Sequence, residues 1–289
     1  MLGFVADLIR LCRLPHMGAI ALIPVLGALS IGIFNLDHLI ILYIVGMFLN
    51  IYLFVSNDVV DAELDKMSKL SRDFHARAIA KGTISKKTGI LISAISLILS
   101  YLISFMFFYR NNICFLLGIL ILSIGVILCT IYNVWGKHFA SSAFIAAFAS
   151  GLGVFYGSYM TAENINLNIL TIVVFFLVSG YMLFLTAVVG GFKDAGNDYK
   201  QGGRTIALLL GVKINEEKKT VHIPLKFKIF TLGVGSFLII SVFSPFLFFN
   251  INYKLWQLLM MFTISIMTLF FSFEFLGVTF YDTVPPQVK

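Results

Sequence analysis

Apolar blocks of about twenty residues recur along the whole of this chain, the length a helix needs to cross a ~30 Å hydrocarbon core. Eight can be drawn, at roughly 17–34, 37–56, 88–109, 113–131, 139–161, 168–190, 227–249 and 255–281. The 289 residues would otherwise suggest about two soluble domains. Composition argues against that, because 12% of the residues are charged, where a soluble domain has about 25%. With 59% hydrophobic residues and a mean hydropathy of +0.96, the expectation is one all-α, polytopic transmembrane helical bundle occupying 1–289. Arg10 and Arg13 precede the first block and no small-residue cleavage site follows, so a retained first span is expected.

Two long connections, about 57–87 and 191–226, hold most of the charge. Alternating the eight blocks from a cytoplasmic N-terminus puts both on the cytoplasmic side, with Arg10, Arg13, Lys137, Lys228 and Lys289. Only Arg110 and Lys254 fall on the other side, leaving 19 of the 21 lysines and arginines inside, so the positive-inside rule fixes the orientation expected in a cell membrane. The net charge of +7 then reflects topology and lipid contact and calls for no nucleic acid. Cys12, Cys114 and Cys129 are far apart, lie in or beside apolar runs and form no C-x-x-C pair; they read as packing residues.

The acidic residues are more specific. The second block runs into Asn57-Asp58-Val59-Val60-Asp61-Ala62-Glu63-Leu64-Asp65 without a turn residue, so the helix is expected to continue. At ~100° per residue, Asp58, Asp61 and Asp65 share an arc of about 60°. The sixth block leads similarly into Gly190-Gly191-Phe192-Lys193-Asp194-Ala195-Gly196-Asn197-Asp198, where Asp194 and Asp198 are one turn apart. Carboxylates crowded at a membrane edge need cations, and hard oxygen ligands select Mg²⁺ or Ca²⁺. Magnesium, which keeps positions open for phosphate oxygens, suits the pattern best. The bland reading is a pair of solvated caps whose acids pair with Lys66, Lys69, Arg72, Lys193 and Lys200.

These residues resemble the UbiA-type intramembrane prenyltransferases. The family's first motif, N-D-x-x-D-x-x-x-D, is matched in full by Asn57, Asp58, Asp61 and Asp65, and its D-x-x-x-D by Asp194 and Asp198. Ala78-Ile79-Ala80-Lys81-Gly82-Thr83-Ile84-Ser85 is similar to the family's R-P-x-x-x-G-x-[IV]-S stretch, with Ala78 where proline usually follows the arginine, here Arg77. Gly203-Arg204-Thr205-Ile206-Ala207 with Leu210-Gly211 is also similar. Tyr132 and Lys137 resemble a Y-x-x-x-K element spaced one residue wider, and His16 stands where Arg13-Leu14-Pro15 would be followed by Asn. The family usually has nine spans.

The resemblance implies a bundle with a central cavity closed by the two Asp-bearing loops, Mg²⁺ as cofactor, and a prenyl diphosphate whose tail lies among the spans. It makes Asp58, Asp61, Asp65, Asp194 and Asp198 metal ligands, with Asp61, Asp65 and Asp198 the catalytic carboxylates. Asn57, Arg72, Arg77, Tyr132, Lys137, Lys193 and Arg204 are the candidate substrate contacts. The implied acceptor is aromatic or a glycerol phosphate, in lipid or quinone synthesis, and the implied donor is geranylgeranyl diphosphate or longer. Two rivals stand beside this: a membrane transporter, since intramembrane acids mark ion paths, and a CDP-alcohol phosphotransferase. The acids here cluster at span ends, and the D-G-x-x-A-R core of the phosphotransferases is missing.

Overall fold

The protein is represented by a computed structural model that describes residues 2–67, 77–136, 138–165, 168–215, 220–249 and 252–277. The helices are α1 (Leu2–Leu11), α2 (Met17–Ala21), α3 (Ile23–Ser30), α4 (Leu36–Met67), α5 (Ala78–Lys81), α6 (Lys86–Phe108), α7 (Ile113–Trp135) and α8 (Ser142–Thr161). They continue with α9 (Ile169–Leu183), a π-helical segment (Phe184–Gly190), α10 (Gly191–Lys200), α11 (Ile206–Leu209), α12 (Leu225–Phe248) and α13 (Leu255–Gly277).

Every apolar block of the sequence carries helix. Among the described residues, six helical stretches are long and apolar enough to cross a membrane: Leu36–Glu63, Lys86–Phe108, Ile113–Trp135, Ser142–Thr161, Ile169–Gly196 and Leu225–Phe248. The first and last blocks form shorter apolar helices, Met17–Ser30 and Leu255–Phe270. Within the first, the helix breaks at Leu22, two residues before Pro24, which has no N–H to give to the preceding turn. Between α11 and α12 the chain departs from a purely helical plan: Lys213–Asn215 (β1) pairs antiparallel with Thr220–His222 (β2), Ile214 opposite Val221.

The chain divides into two compact units. Among the described residues, one comprises those within 2–135 and 152–165, the other those within 136–151 and 168–277. In the first unit α4 packs along α6. The side of α6 that turns inward carries Ser93, Ser96, Ser100 and Ser104, all buried, while Leu91, Ile98 and Met106 on its other side are exposed and apolar. In lipid, helices associate through such small residues, because lipid tails reward apolar contact no less than a neighbouring helix does. The serines bond within the bundle: Ser93 Oγ donates to the Tyr52 carbonyl at 3.3 Å, and Ser104 Oγ lies 2.6 Å from the Tyr156 hydroxyl. Glycine permits the closest crossings, since a Cβ at Gly27 or Gly157 would run into the backbone of Val154 or Pro24. Around these contacts sits a core of Val25, Leu42, Val45, Phe108, Phe115, Tyr156 and Met160.

The second unit has its own core under the β-hairpin, built from Val188, Phe192, Ala195, Ala207, Val212, Val221 and Phe227. Phe175, Phe176 and Phe237 meet edge to face between α9 and α12, with centroids 5.2 and 6.2 Å apart in successive pairs.

Candidate active site

The helix that begins in the second apolar block does run on through the acidic motif: α4 is continuous to Met67, so Asp58, Asp61 and Asp65 stand on one face. All three are buried, at 4%, 6% and 9% exposure, which makes their neutralisation a structural necessity. Arg77 provides much of it. Its Nη1 donates to Asp58 Oδ1 at 3.4 Å and lies 2.7 Å from Asp65 Oδ2 and 3.7 Å from Asp61 Oδ2. Asn57 Nδ2 donates to Asp61 Oδ2 at 3.3 Å, along the same helix.

The position of Arg77 is determined by the residues after it. Arg77 is the N-cap of the single-turn helix α5, whose Ala78, Ile79 and Ala80 are buried. That turn stops at Gly82, which takes φ +80°, a conformation glycine adopts without Cβ strain. Ser85 then caps α6, its Oγ accepting from the Thr88 N–H at 3.0 Å. The Gly and Ser of the sequence motif are thus a helix stop and a helix start, and they aim the preceding arginine back at α4. Gly89 lets α6 close on both partners, because a Cβ there would lie 2.7 Å from Ile79 Cδ1 and Val59 Cγ2.

A second cation joins the acidic face. Arg13 Nη2 donates to Asp58 Oδ1 at 3.3 Å, and its guanidinium carbon sits 4.4 Å from the Phe54 ring centroid. Arg13 adopts φ 50°, ψ 36°, the one left-handed non-glycine residue among those described. A residue held there by its surroundings is costly and worth attention. In the sequence Arg13 counts only as a positive-inside residue and as the start of a short motif; its 45-residue separation from Asp58 leaves no local signal.

Tyr132 is on α7, next to Asn133, whose Nδ2 donates to the Leu53 carbonyl at 3.0 Å and to Ser56 Oγ at 2.8 Å. Those bonds tie the end of α7 to the turn of α4 just before Asn57. Asn133 is a polar contact that sequence reasoning misses. Arg72 and Lys137, two candidate substrate contacts, lie outside the described residues, as does Lys69; the backbone of His16 is described as the end of a 3₁₀ turn.

The second acidic motif is placed differently. Between α9 and α10 the helix passes through seven residues of π-helix, Phe184–Gly190, in which Thr186 Oγ1 donates to the Met182 carbonyl at 2.7 Å. The wider i→i+5 turn changes the helical phase of α10 relative to α9, and such segments are frequent at functional sites. In α10, Asp198 is buried, Asp194 half-buried and Lys193 exposed. The chain then folds back, the Gly203 N–H donating to the Asp198 carbonyl at 2.7 Å, which sets exposed Arg204 just beyond the acidic helix. Gly191 packs against α11, a Cβ there standing 3.3 Å from Ala207 Cβ.

Among the described residues no three His, Cys, Asp or Glu side chains converge as a group able to hold a metal ion; on α4 a guanidinium nitrogen stands among the three carboxylates instead. The donor chemistry still suits a hard cation: three carboxylates on one buried helix face offer only oxygen ligands.

The model of the UbiA prenyltransferase family matches residues 20–284. The chain belongs to that family. Its fold is that of UbiA homologues of known structure. One from Aeropyrum pernix K1, in its apo form, superposes with a TM-score of 0.70 at 14% identity, over 90% of this chain and 88% of that one. Another, from Archaeoglobus fulgidus and bound to GPP and Mg²⁺, gives 0.64 at 18% identity, over 93% and 86%. A digeranylgeranylglyceryl phosphate synthase gives 0.64 at 18% identity, over 95% and 88%. No protein of curated function matches the chain. Family membership and the apolar helices make it a multi-pass membrane protein.

Proposed function

We propose that this UbiA-family chain catalyses Mg²⁺-dependent transfer of a prenyl group, geranylgeranyl or longer, from a prenyl diphosphate to an aromatic or glycerol-phosphate acceptor in lipid or quinone synthesis. The observation that carries the reading is the buried face of α4, where Asp58, Asp61 and Asp65 lie against Arg77 and Arg13 at the end of an apolar helix. It is supported by the neighbour bound to GPP and Mg²⁺. In this reading both acidic motifs face the cytoplasm of the cell membrane, and the two units act as one catalytic domain.

In the reaction the bond between prenyl C1 and the diphosphate oxygen breaks, C1 bonds to the acceptor, and the acceptor releases a proton. Bound Mg²⁺ would supply neutralisation of the diphosphate leaving group. Asp58, Asp61, Asp65, Asp194 and Asp198 would hold it, with Asn57 orienting Asp61 through the 3.3 Å bond already present. Arg77, Lys193 and Arg204, together with Arg72 and Lys137, would contact diphosphate oxygens, arginine offering a bidentate fork. Tyr132, on the helix tied to α4 through Asn133, would line the substrate side. Lipid tails and the prenyl chain are both apolar, so the spans serve both.

The test is transfer of labelled geranylgeranyl diphosphate to a panel of aromatic and glycerol-phosphate acceptors in membranes. Activity should vanish in EDTA and return with Mg²⁺. Undiminished transfer in EDTA contradicts the metal reading, and transfer to neither class of acceptor contradicts the acceptor reading.

A further inference from the structure

We propose that Arg77 is a resident counter-cation of the acidic face, which metal binding exchanges out of the carboxylates and toward the diphosphate. The inference rests on the proposed metal site and adds a step to it. One nitrogen, Arg77 Nη1, lies within 3.7 Å of all three aspartates, and closest to Asp65 at 2.7 Å. A divalent ion ligated by these carboxylates would bring two positive charges to the same oxygens. At ~4 Å the repulsion between a unit charge and such an ion is large even under the screening of a protein surface. The guanidinium and the ion therefore compete for one set of oxygen atoms.

The geometry also indicates which arginine moves. Arg13 touches only Asp58 among the three, its guanidinium stacks on Phe54, and its own backbone is held in the left-handed region. Arg77 is anchored at its Cα by the buried turn of α5, and its side chain, 19% exposed against 33% for Arg13, lies among all three carboxylates, where it competes most directly with an incoming ion. Withdrawn from the carboxylates, its guanidinium would be available to phosphate oxygens. The exchange keeps cations against the buried face in both states, which limits repulsion among the carboxylates before metal arrives. It makes Arg77 a positioning residue for the metal-free protein and a binding residue for the loaded one.

The experiment uses the full chain in detergent with Mn²⁺ as the probe and no prenyl diphosphate, bound and free ion being separated by their paramagnetic signals. In Arg77→Gln the Mn²⁺ midpoint should fall about tenfold, because the competitor is gone. Arg77→Lys should fall between, since an ammonium keeps the charge but lacks the fork. Thermal unfolding in EDTA should show Arg77→Gln less stable than the parent, with Mn²⁺ restoring it. In the parent protein, labelling of Arg77 by a dicarbonyl reagent should rise when Mn²⁺ is added. A midpoint in Arg77→Gln that is unchanged or weaker, with Arg77 labelling indifferent to Mn²⁺, overturns the exchange while leaving the metal reading intact. Should Arg77→Gln not fold, the Arg77→Lys midpoint and the labelling of the parent decide the matter. Absence of saturable Mn²⁺ binding in the parent and both variants overturns the metal reading itself.

Discussion

The two acidic helices are built on opposite plans. The first continues a span without interruption, so that Asp58, Asp61 and Asp65 inherit their direction from 32 residues of regular α4 and their charge is met by arginines from elsewhere in the chain. The second is reached through seven residues of π-helix and is steadied by backbone, with the Gly203 N–H returning to the Asp198 carbonyl and α11 packed on Gly191. A motif spacing of three or four residues therefore does not by itself define a site. In one case it rides on helix periodicity, and in the other on a change of periodicity followed by a tight reversal.

If each plan serves chemistry, the largest effects come from the acids. Asp61→Asn and Asp194→Asn should each lower turnover by about 10²–10³-fold while the protein stays folded, because each removes charge rather than packing. Near-parental turnover by either folded variant would take that residue out of the mechanism.

A smaller effect separates the plans at their cations. Arg13→Asn keeps a residue that tolerates φ above zero but loses the ion pair with Asp58, and turnover should fall about tenfold. An unchanged rate would mean that Arg77 alone steadies the first face.

The glycines that seat each face should respond differently in stability. Gly89→Ala puts a methyl 2.7 Å from Ile79 and Val59 and should cost about 1–3 kcal/mol by thermal unfolding. Gly191→Ala meets Ala207 at 3.3 Å, a contact tight enough to use up the helix propensity gained, and should stay within about 1 kcal/mol of the parent. Equal losses would show that the second face is packed as tightly as the first.

The smallest effect is expected at the thiols. Cys12 and Cys114 are buried, Cys129 is half-buried, and burial pushes the Cys12 thiol up, away from reactivity. A triple Cys→Ala variant that folds should keep turnover within about twofold. A larger loss would give one of them a role in the reaction.

Sequence alone reveals the elements that depend on local pattern. Blocks of apolar residues mark the helices, and the absence of a turn residue between Ser56 and Asp65 foretells that α4 continues. The motif residues Gly82 and Ser85 are legible as a likeness, and the structure supplies their physical meaning as a left-handed stop and a helix cap. The hidden features are non-local or subtle. Arg13 reaches Asp58 from 45 residues away, and Asn133 reaches Leu53 from 80. The π segment leaves no mark in hydropathy, because its residues are as apolar as the span they extend. The short hairpin of Ile214 and Val221 lies in a stretch that reads only as a charged loop.

We propose that the two acidic motifs, remote in sequence, serve one metal and one diphosphate. The measurement that tests it most directly is turnover of the Asp61→Asn/Asp194→Asn double variant beside its two single variants, each checked for folding. Groups that act as a unit are strongly non-additive, so the double variant should be little slower than the slower single one. Losses that multiply would assign the two motifs to independent sites and contradict the account.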